Sequence, residues 1–212
     1  LQLLGSYYNQ IHFNTSHSLG AADEVLRPNY ELDLSRGYEL LFNSYSTNVK
    51  RNLKKANTLK VTSSTPADVY KLYHLNYSSL ANAITQVDFE TLSSLVSMKP
   101  GWFKLRQVSL NDETVSAALY AYNPDHKRMH YLIGGSNKQG RKLNGMTILH
   151  DSLIKEHANS DWIFDFEGSA IPSVAEFYKK FGSTNVPFFE TEFIPNALLR
   201  TAKQLYRRFR KL

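Results

Sequence analysis

Residues 129–153, MHYLIGGSNKQGRKLNGMTILHDSL, decide the fold. An apolar strand ends at Gly134-Gly135-Ser136, and an amphipathic helix begins near Leu143-Asn144-Gly145 after a loop rich in glycine, asparagine and lysine. Glycines let backbone N–H groups approach a ligand closely, and a helix N-terminus favours anions. The stretch therefore predicts a phosphate cradle, with a plain flexible connection as the alternative. The predicted cradle residues are Gly134, Gly135, Ser136, Arg141, Lys142, Asn144 and Gly145, with Lys138 as a further cation.

A second informative stretch, WIFDFEGSAIPSVAEFYKKFGS, covers residues 162–183. Asp165 and Glu167 flank Phe166 near the end of an apolar strand, so both carboxylates are expected on one face and Phe166 on the other. Two acids in this place can serve as a general base or hold an acceptor amine. The alternatives are an ion pair with Lys179 or Lys180 and a structural role in which Asp165 caps nearby backbone N–H groups.

The remaining periodicity predicts the other elements. Predicted strands cover 29–34, 60–62, 102–110, 114–122, 128–133, 162–166 and 188–193. Predicted helices cover 37–56, a segment opening at Pro66, 88–98, about 142–156, 172–180 and a segment opening at Pro195. Ser35 is the predicted N-cap of the first helix and Gly182 the C-cap after the penultimate one. This order predicts an α/β (α+β) fold with a mixed, mainly antiparallel sheet, in which strand 128–133 is central and strand 162–166 lies beside it.

Composition narrows the function classes. The 212 residues include no cysteine, which excludes disulfides, thiolate metal sites and a cysteine nucleophile, and no apolar run approaches the ~20 residues that span a bilayer. The net charge of +6 favours an anionic partner, with plain solubility as the alternative. We expect a cytoplasmic protein, although the sequence begins at Leu1 rather than at a methionine.

The seven histidines show no metal-binding spacing, so no metal site is expected, although His130 and His150 are close enough along the chain to meet. No Gly-x-Ser-x-Gly elbow is present, which disfavours a serine hydrolase.

The motifs together resemble those of GNAT acyltransferases, and within them the Fem-type aminoacyltransferases. GGSNKQGRKLNG (134–145) occupies the place where GNAT enzymes hold the phosphates of coenzyme A, although its spacing differs from the usual Gln/Arg-x-x-Gly-x-Gly/Ala. FDFEGS (164–169) followed by FYKKFG (177–182) resembles the Fem-type pattern of an acidic strand end and an aromatic-lysine segment. YSTNVKRNLKKA (45–56) resembles the basic helix of those proteins, and NYELDLSRGYELL (29–41) resembles the strand that precedes it.

The resemblance implies an N-acyltransferase that moves an acyl group from acyl-CoA or acetyl-CoA, or from aminoacyl-tRNA, to an amine of a small molecule or peptide. The amine attacks the carbonyl directly, so the protein positions both reactants and stabilises the oxyanion. Lys179 is then the candidate polarising cation, with Lys180 as the alternative, and Glu167 or Asp165 orients or deprotonates the amine.

Fem-type proteins resemble two GNAT-like halves in tandem, so residues 1–27 are interpreted as a leading arm or the remnant of a preceding half, and residues 28–212 as the GNAT-like domain. A rival interpretation is a non-catalytic module that binds nucleic acid or a protein partner. Its support is two basic segments, Lys50–Lys55 and Arg207–Lys211, the second of which also favours tRNA as a partner.

Overall fold

The computed structural model describes residues 7–21, 24–56, 59–80, 83–168 and 171–209. The chain divides into two compact units. The larger unit is Tyr30–Asn185, and the smaller joins Leu1–Asn29 to Val186–Leu212.

The larger unit is built on a seven-stranded sheet with the strand order β4-β5-β6-β7-β8-β3-β9. Its strands are β3 (Tyr30–Asp33), β4 (Val61–Ser63), β5 (Phe103–Leu110), β6 (Glu113–Asn123), β7 (Arg128–Ser136), β8 (Ile163–Asp165) and β9 (Thr184–Asn185). Its helices are α1 (Tyr38–Ser44), α2 (Thr47–Lys55), α3 (Pro66–Tyr77), α4 (Gln86–Met98), α5 (Lys138–Lys142), α6 (Gly145–His157) and α7 (Pro172–Lys179).

Strand β7 is the middle strand of the seven, and β8 lies directly beside it, as predicted. The pair β7–β8 is parallel, and α5 and α6 form the connection between the two strands, whereas the neighbouring pairs β5–β6, β6–β7 and β3–β8 are antiparallel. Asn111 and Asp112 adopt positive φ in the tight β5–β6 turn, a conformation that asparagine and aspartate tolerate better than most residues. The predicted mixed, mainly antiparallel sheet flanked by helices is confirmed.

Helix α6 carries the apolar stripe that the sequence predicts. Leu149 and Leu153 are fully buried, and they pack into a core with Tyr120, Met129 and Phe164 from the sheet. A smaller core on α3 contains Val69 and Leu72, packed with Ala117, Leu119 and Ile133. The alternating side chains of β6 and β7 therefore serve two cores, which fixes the register of the central strands.

Two predicted helices are interrupted. The stripe over 37–56 is divided between α1 and α2, because Tyr45 is extended and Ser46 caps α2 by accepting a hydrogen bond from the backbone N–H of Val49. The N-cap of α1 is Gly37 rather than Ser35, whose backbone N–H donates to Asp33 Oδ1 at 2.8 Å in a local turn. The helix predicted over about 142–156 is interrupted at left-handed Asn144: α6 begins only at Gly145, and Lys142 ends a separate short helix, α5, within the segment predicted as a loop.

The smaller unit contains a three-stranded antiparallel sheet in the order β1-β10-β2. Its strands are β1 (Ile11–Thr15), β2 (Glu24–Arg27) and β10 (Phe188–Phe193), and helix α8 (Ala197–Phe209) follows. The segment interpreted as a leading arm thus supplies two strands that flank β10. Among the described residues, no helix combines the length and the apolar character needed to cross a membrane.

Candidate functional site

Helix α6 begins at the loop that the sequence predicts as an anion cradle. Its N-cap, Asn144, has left-handed backbone (φ 58°) and gives no side-chain cap bond within the described residues; instead its Oδ1 accepts a hydrogen bond from Asn52 Nδ2 on α2 at 2.9 Å. The first N–H groups of a helix have no intrahelical carbonyl partner, and the helix dipole adds positive charge there. This end of α6 is therefore suited to an anion.

A cavity of about 270 Å³ opens at the start of α6. It is lined by Tyr77, Tyr131, Ser136, Gly140, Arg141, Asn144, Gly145, Met146, Thr147, His150, Ser173, Val174, Phe177 and Tyr178. Four of the predicted cradle residues, Ser136, Arg141, Asn144 and Gly145, belong to this wall. The cavity combines a polar mouth at the helix start with aromatic side chains from β7 and α7.

Arg141 is the basic residue of the cavity wall. Its Nη1 donates to the backbone oxygen of Ser136 at 3.0 Å and also contacts Asn76 Oδ1 on α3. Lys142, the next residue, is exposed and is not among the lining residues of this cavity, and Lys138 is exposed as well. The two neighbouring cations Arg141 and Lys142 therefore differ in position although they carry the same charge.

The glycines of the loop serve close packing. A Cβ on Gly135 would lie 2.3 Å from the backbone oxygen of Leu72, so this glycine lets α3 rest against β7. Gly135 faces α3 and is not among the lining residues of the first cavity, and its role in donor binding stays a prediction. A Cβ on Gly145 would lie 2.0 Å from Ser116 Oγ on β6, so a bulky residue there would also disturb the fold, contrary to a purely ligand-facing role.

A second cavity of about 210 Å³ adjoins the first and contains Gly134 in its wall. Its lining residues are Tyr73, Tyr77, Leu80, Tyr131, Leu132, Ile133, Gly134, Ile171, Val174 and Tyr178. Both cavities share Tyr77, Tyr131, Val174 and Tyr178. These tyrosines carry no distinct functional signal in the sequence, because an aromatic residue at a strand or helix position is more often a core residue.

The wall that the two cavities share includes Tyr131, which lies where the parallel strands β7 and β8 separate. The pairing of β7 with β8 covers only Arg128–His130 and Ile163–Asp165, and β7 continues to Ser136 without β8. Tyr131 is the first residue of β7 beyond this pairing, and His130 is the last residue within it. Because successive strand residues point to opposite faces, Tyr131 and His130 lie on different faces of the sheet at this fork.

A charged cluster occupies the His130 face. His130 Nδ1 donates to Glu167 Oε1 at 2.7 Å and lies 3.7 Å from Asp165 Oδ2. Arg128 Nη1 donates to Asp165 Oδ2 at 3.1 Å and to Glu31 Oε1 at 2.8 Å. The hydrogen bond to Glu167 is the main reason that the pKa of His130 is raised above its ordinary value, against the opposing effect of burial. Sequence spacing did not reveal His130 as a partner of the two acids, since the parallel β7–β8 register creates the contact.

The two sequence-predicted acids lie together but differ in environment. Asp165 is buried and its Oδ1 accepts the backbone N–H of Glu167 at 2.8 Å, which is the capping role considered as the alternative for this residue. Glu167 has positive φ (63°) and a half-exposed side chain. Of the pair, Glu167 is the more accessible to a substrate.

The same cluster has the ligand types of a metal site. One donor atom each from His130, Asp165 and Glu167 lie within 4.8 Å of one another. Arg128, however, already supplies a positive charge to Asp165, and His130 already binds Glu167. We therefore interpret the cluster as an ion-pair network around a histidine.

Lys179 has a different neighbour from the one predicted. Its Nζ donates to Glu176 Oε1 at 2.6 Å and lies over the ring of Tyr30, while Glu167 binds His130. The reason is helical phase, because one residue along α7 turns a side chain by about 100° and Tyr178 takes the buried face. Lys180, the alternative, is the half-buried C-cap of α7. The catalytic role of either lysine stays a prediction.

Comparison with known proteins extends these findings. A scan of protein-family models and a search of curated proteins both give no match for this sequence. Solved structures do match: FemX aligns with 95% of this chain and 69% of its own at 14% identity, with a TM-score of 0.63. The C-terminal domain (DUF2156) of a putative lysylphosphatidylglycerol synthetase from Agrobacterium fabrum aligns with 88% of this chain and 62% of its own, at 10% identity and a TM-score of 0.55.

A third structure, L-PGS from Bacillus licheniformis, aligns with 98% of this chain and 69% of its own at 10% identity, with a TM-score of 0.51. These alignments span nearly the whole chain, whereas the identities are low, so the shared feature is the arrangement of strands and helices. The chain therefore shares its fold with FemX and with the other two structures.

Proposed function

We propose that this protein is an acyl- or aminoacyltransferase that moves an acyl group from a phosphate-bearing donor to an amine. The observation that carries the proposal is the cavity that runs from the N-terminus of α6 to the fork between β7 and β8. Phosphates of the donor bind the free N–H groups of α6 and Arg141, and the acyl carbonyl reaches the fork. The fold shared with a putative lysylphosphatidylglycerol synthetase supports aminoacyl transfer as part of this class.

The charged cluster gives the reaction a proton acceptor. With Nδ1–H directed at Glu167, neutral His130 presents Nε2 as the acceptor for a proton of the attacking amine. The amine nitrogen forms a bond to the carbonyl carbon, the C–S or C–O bond to the donor breaks, and the leaving group takes up a proton. Glu167 thus orients the histidine and stabilises its protonated form.

Tyr178 is the candidate group for the developing oxyanion. It lines both cavities, and burial raises its pKa above the ordinary value, so the hydroxyl keeps its proton and can donate a hydrogen bond. We assign this role to Tyr178 in preference to Lys179, which is exposed and bound to Glu176. No covalent enzyme intermediate is required.

Acyl-CoA is the first candidate donor, and aminoacyl-tRNA is the second. Basic residues of α2 favour the longer polyanion: the Asn52–Asn144 hydrogen bond brings this helix to the start of α6, and Arg51, Lys54 and Lys55 on it are exposed. The basic C-terminal segment points the same way in sequence, but Arg210 and Lys211 lie outside the described residues. The acceptor is an amine of a small molecule or peptide, and the proposed location is the cytoplasm.

Calorimetric titration with CoA and acetyl-CoA tests the donor site. We expect Arg141→Ala to weaken binding about tenfold, the effect of removing one charge-assisted hydrogen bond worth about 1.5 kcal/mol. Lys142→Ala is the matched control, since it removes the same charge one residue away from the cavity wall, and it should bind as the parent does. Equal affinity in both variants would reject the phosphate site.

The rival function, a non-catalytic nucleic-acid-binding module, is tested with a tRNA gel shift at two salt concentrations. Binding through several phosphates releases counterions, so a tRNA complex should weaken steeply with salt. Absence of a shift at low salt leaves CoA thioesters as the donor. A shift with tRNA that carries no amino acid, combined with no turnover of any acyl donor, would favour the binding module.

A further inference from the structure

His150 is a polar residue in an otherwise aromatic part of the first cavity. It lies on α6, is fully buried, and belongs to the cavity wall. Its ring centroid is 4.8 Å from that of Tyr131 and 5.8 Å from that of Phe177, and both of these rings line the same cavity. His150 takes no part in the proposed proton transfer or in the stabilisation of the oxyanion.

The two ring nitrogens of His150 differ in their hydrogen bonding. Nδ1 lies 3.1 Å from the hydroxyl of Tyr120 on β6, whereas Nε2 is buried without a hydrogen-bond partner in the part of the chain that the structure describes. Burial lowers the pKa of His150 to about 3, so the ring is neutral at physiological pH.

Either tautomer of His150 leaves Nε2 unpaired. If the hydroxyl of Tyr120 donates to Nδ1, Nε2 carries a hydrogen and is an unpaired donor. If Nδ1–H donates to the hydroxyl oxygen instead, Nε2 is an unpaired acceptor. A hydroxyl group can both donate and accept a hydrogen bond, so it can satisfy Nε2 in either tautomer.

We propose that the cavity is the subsite for an acyl group of the hydroxyacyl class, and that the hydroxyl of this group forms a hydrogen bond with Nε2 of His150. The inference rests on the proposed acyl transfer and names its donor more closely. A plain saturated acyl chain of the same length would fill the aromatic cavity but leave the buried Nε2 unpaired, at a cost comparable to that of a missing hydrogen bond. His150 is thus a specificity-determining residue.

Calorimetry with 3-hydroxybutyryl-CoA and butyryl-CoA measures this specificity, because the two probes differ by one oxygen. The parent protein should prefer the hydroxyacyl probe about tenfold. His150→Leu should bring the ratio to about one, and His150→Gln, whose side-chain amide can both donate and accept a hydrogen bond, should restore part of the preference. A ratio near one in the parent, or an unchanged ratio in His150→Leu, would overturn the proposal.

A second pair of probes separates this inference from the phosphate site. N-acetylcysteamine thioesters of the same two acyl groups lack phosphates, so they test the cavity alone. The hydroxyacyl thioester should shift the ¹⁵N NMR signal of His150 Nε2, and the butyryl thioester should not. Equal shifts, or none, would overturn the inference. If the CoA forms bind no more tightly than these thioesters, the proposed phosphate site fails while the subsite stands.

The fold of the variants is checked by urea unfolding. Tyr120→Phe combined with His150→Leu removes both members of the buried pair, which leaves no unpaired group in that pair. We expect this double variant to be at least as stable as the parent yet to lose the preference for the hydroxyacyl probe. A large loss of stability together with retained preference would assign His150 to structure alone.

Discussion

His130 Nδ1 and Glu167 Oε1 are 2.7 Å apart at the fork where strands β7 and β8 separate. The two residues are 37 positions apart in the sequence, and the parallel register that places His130 opposite Asp165 joins them. A histidine held by a carboxylate at this fork is the arrangement from which the predicted pH dependence of this protein follows.

We expect turnover to rise with pH through an apparent pKa above 6.5, because neutral His130 accepts the proton and its folded-state pKa is raised. Glu167→Gln should lower that apparent pKa, since it removes the negative charge of the partner. An NMR titration of the His130 ring reports the same pKa without substrate. An unshifted titration in Glu167→Gln would remove Glu167 from this role.

The raised pKa of His130 also predicts how the free energy of unfolding changes with pH. A histidine whose pKa is raised on folding contributes stability that is fully present below its unfolded value, about 6.5, and is lost as the pH rises through the folded pKa. We therefore expect the free energies of unfolding of the parent and of Glu167→Gln, measured in urea at several pH values, to converge above the folded pKa. A constant difference between the two free energies at every pH would contradict the pairing of His130 with Glu167.

Gly135→Ala should destabilise the protein by about 1–3 kcal/mol, the usual effect of forced overpacking. The added Cβ would lie 2.3 Å from the backbone oxygen of Leu72, and backbone on both sides leaves little room to adjust. Gly101→Ala is the control, since a Cβ there meets nothing within 4 Å. Urea midpoints compare the two, and similar small losses would show that α3 shifts easily.

Tyr178→Phe should lower turnover about tenfold or more, the effect of removing one oxyanion donor, with little change in donor binding. Lys179→Met, one residue away on the exposed face of α7, should stay within about twofold of the parent on the same reasoning. Steady-state kinetics on both variants decide between them. The reverse order would return the catalytic role to Lys179, as the motif FYKKFG indicates.

The exposed lysines of α2 should contribute to binding of a polyanion. Replacing Lys54 and Lys55 with glutamine should make the logarithm of the tRNA affinity less dependent on salt, by about one unit of slope for each phosphate that the protein no longer neutralises. Lys127→Gln is the control, because this exposed lysine precedes β7, whereas α6 follows the other end of that strand. An equal change in the salt dependence of Lys127→Gln would indicate that only the net charge of the protein matters and that α2 is not a specific contact.

Much of the fold follows from local signals in the amino-acid sequence. The alternation of β5, β6 and β7, the turn residues Asn111 and Asp112, and the stripe through Leu149 and Leu153 are local signals, because each reflects neighbours a few positions away. They were sufficient to predict the central strand, the strand beside it and the helix between them, whereas the parallel direction of the pair comes from the structure. The start of α6 and the cations near it were equally visible, since a glycine-rich strand-to-helix turn is a contiguous feature.

Only the tertiary structure decided which side chains meet. His130 meets Glu167 through the strand register, His150 meets Tyr120 between a helix and a strand, and Gly135 faces α3. Strands β1 and β2 were not predicted, because their pairing with β10 links residues from the two ends of the sequence. Contacts between residues far apart in the sequence depend on packing and strand register. Neither residue's neighbouring sequence shows a periodic pattern that would reveal such a contact.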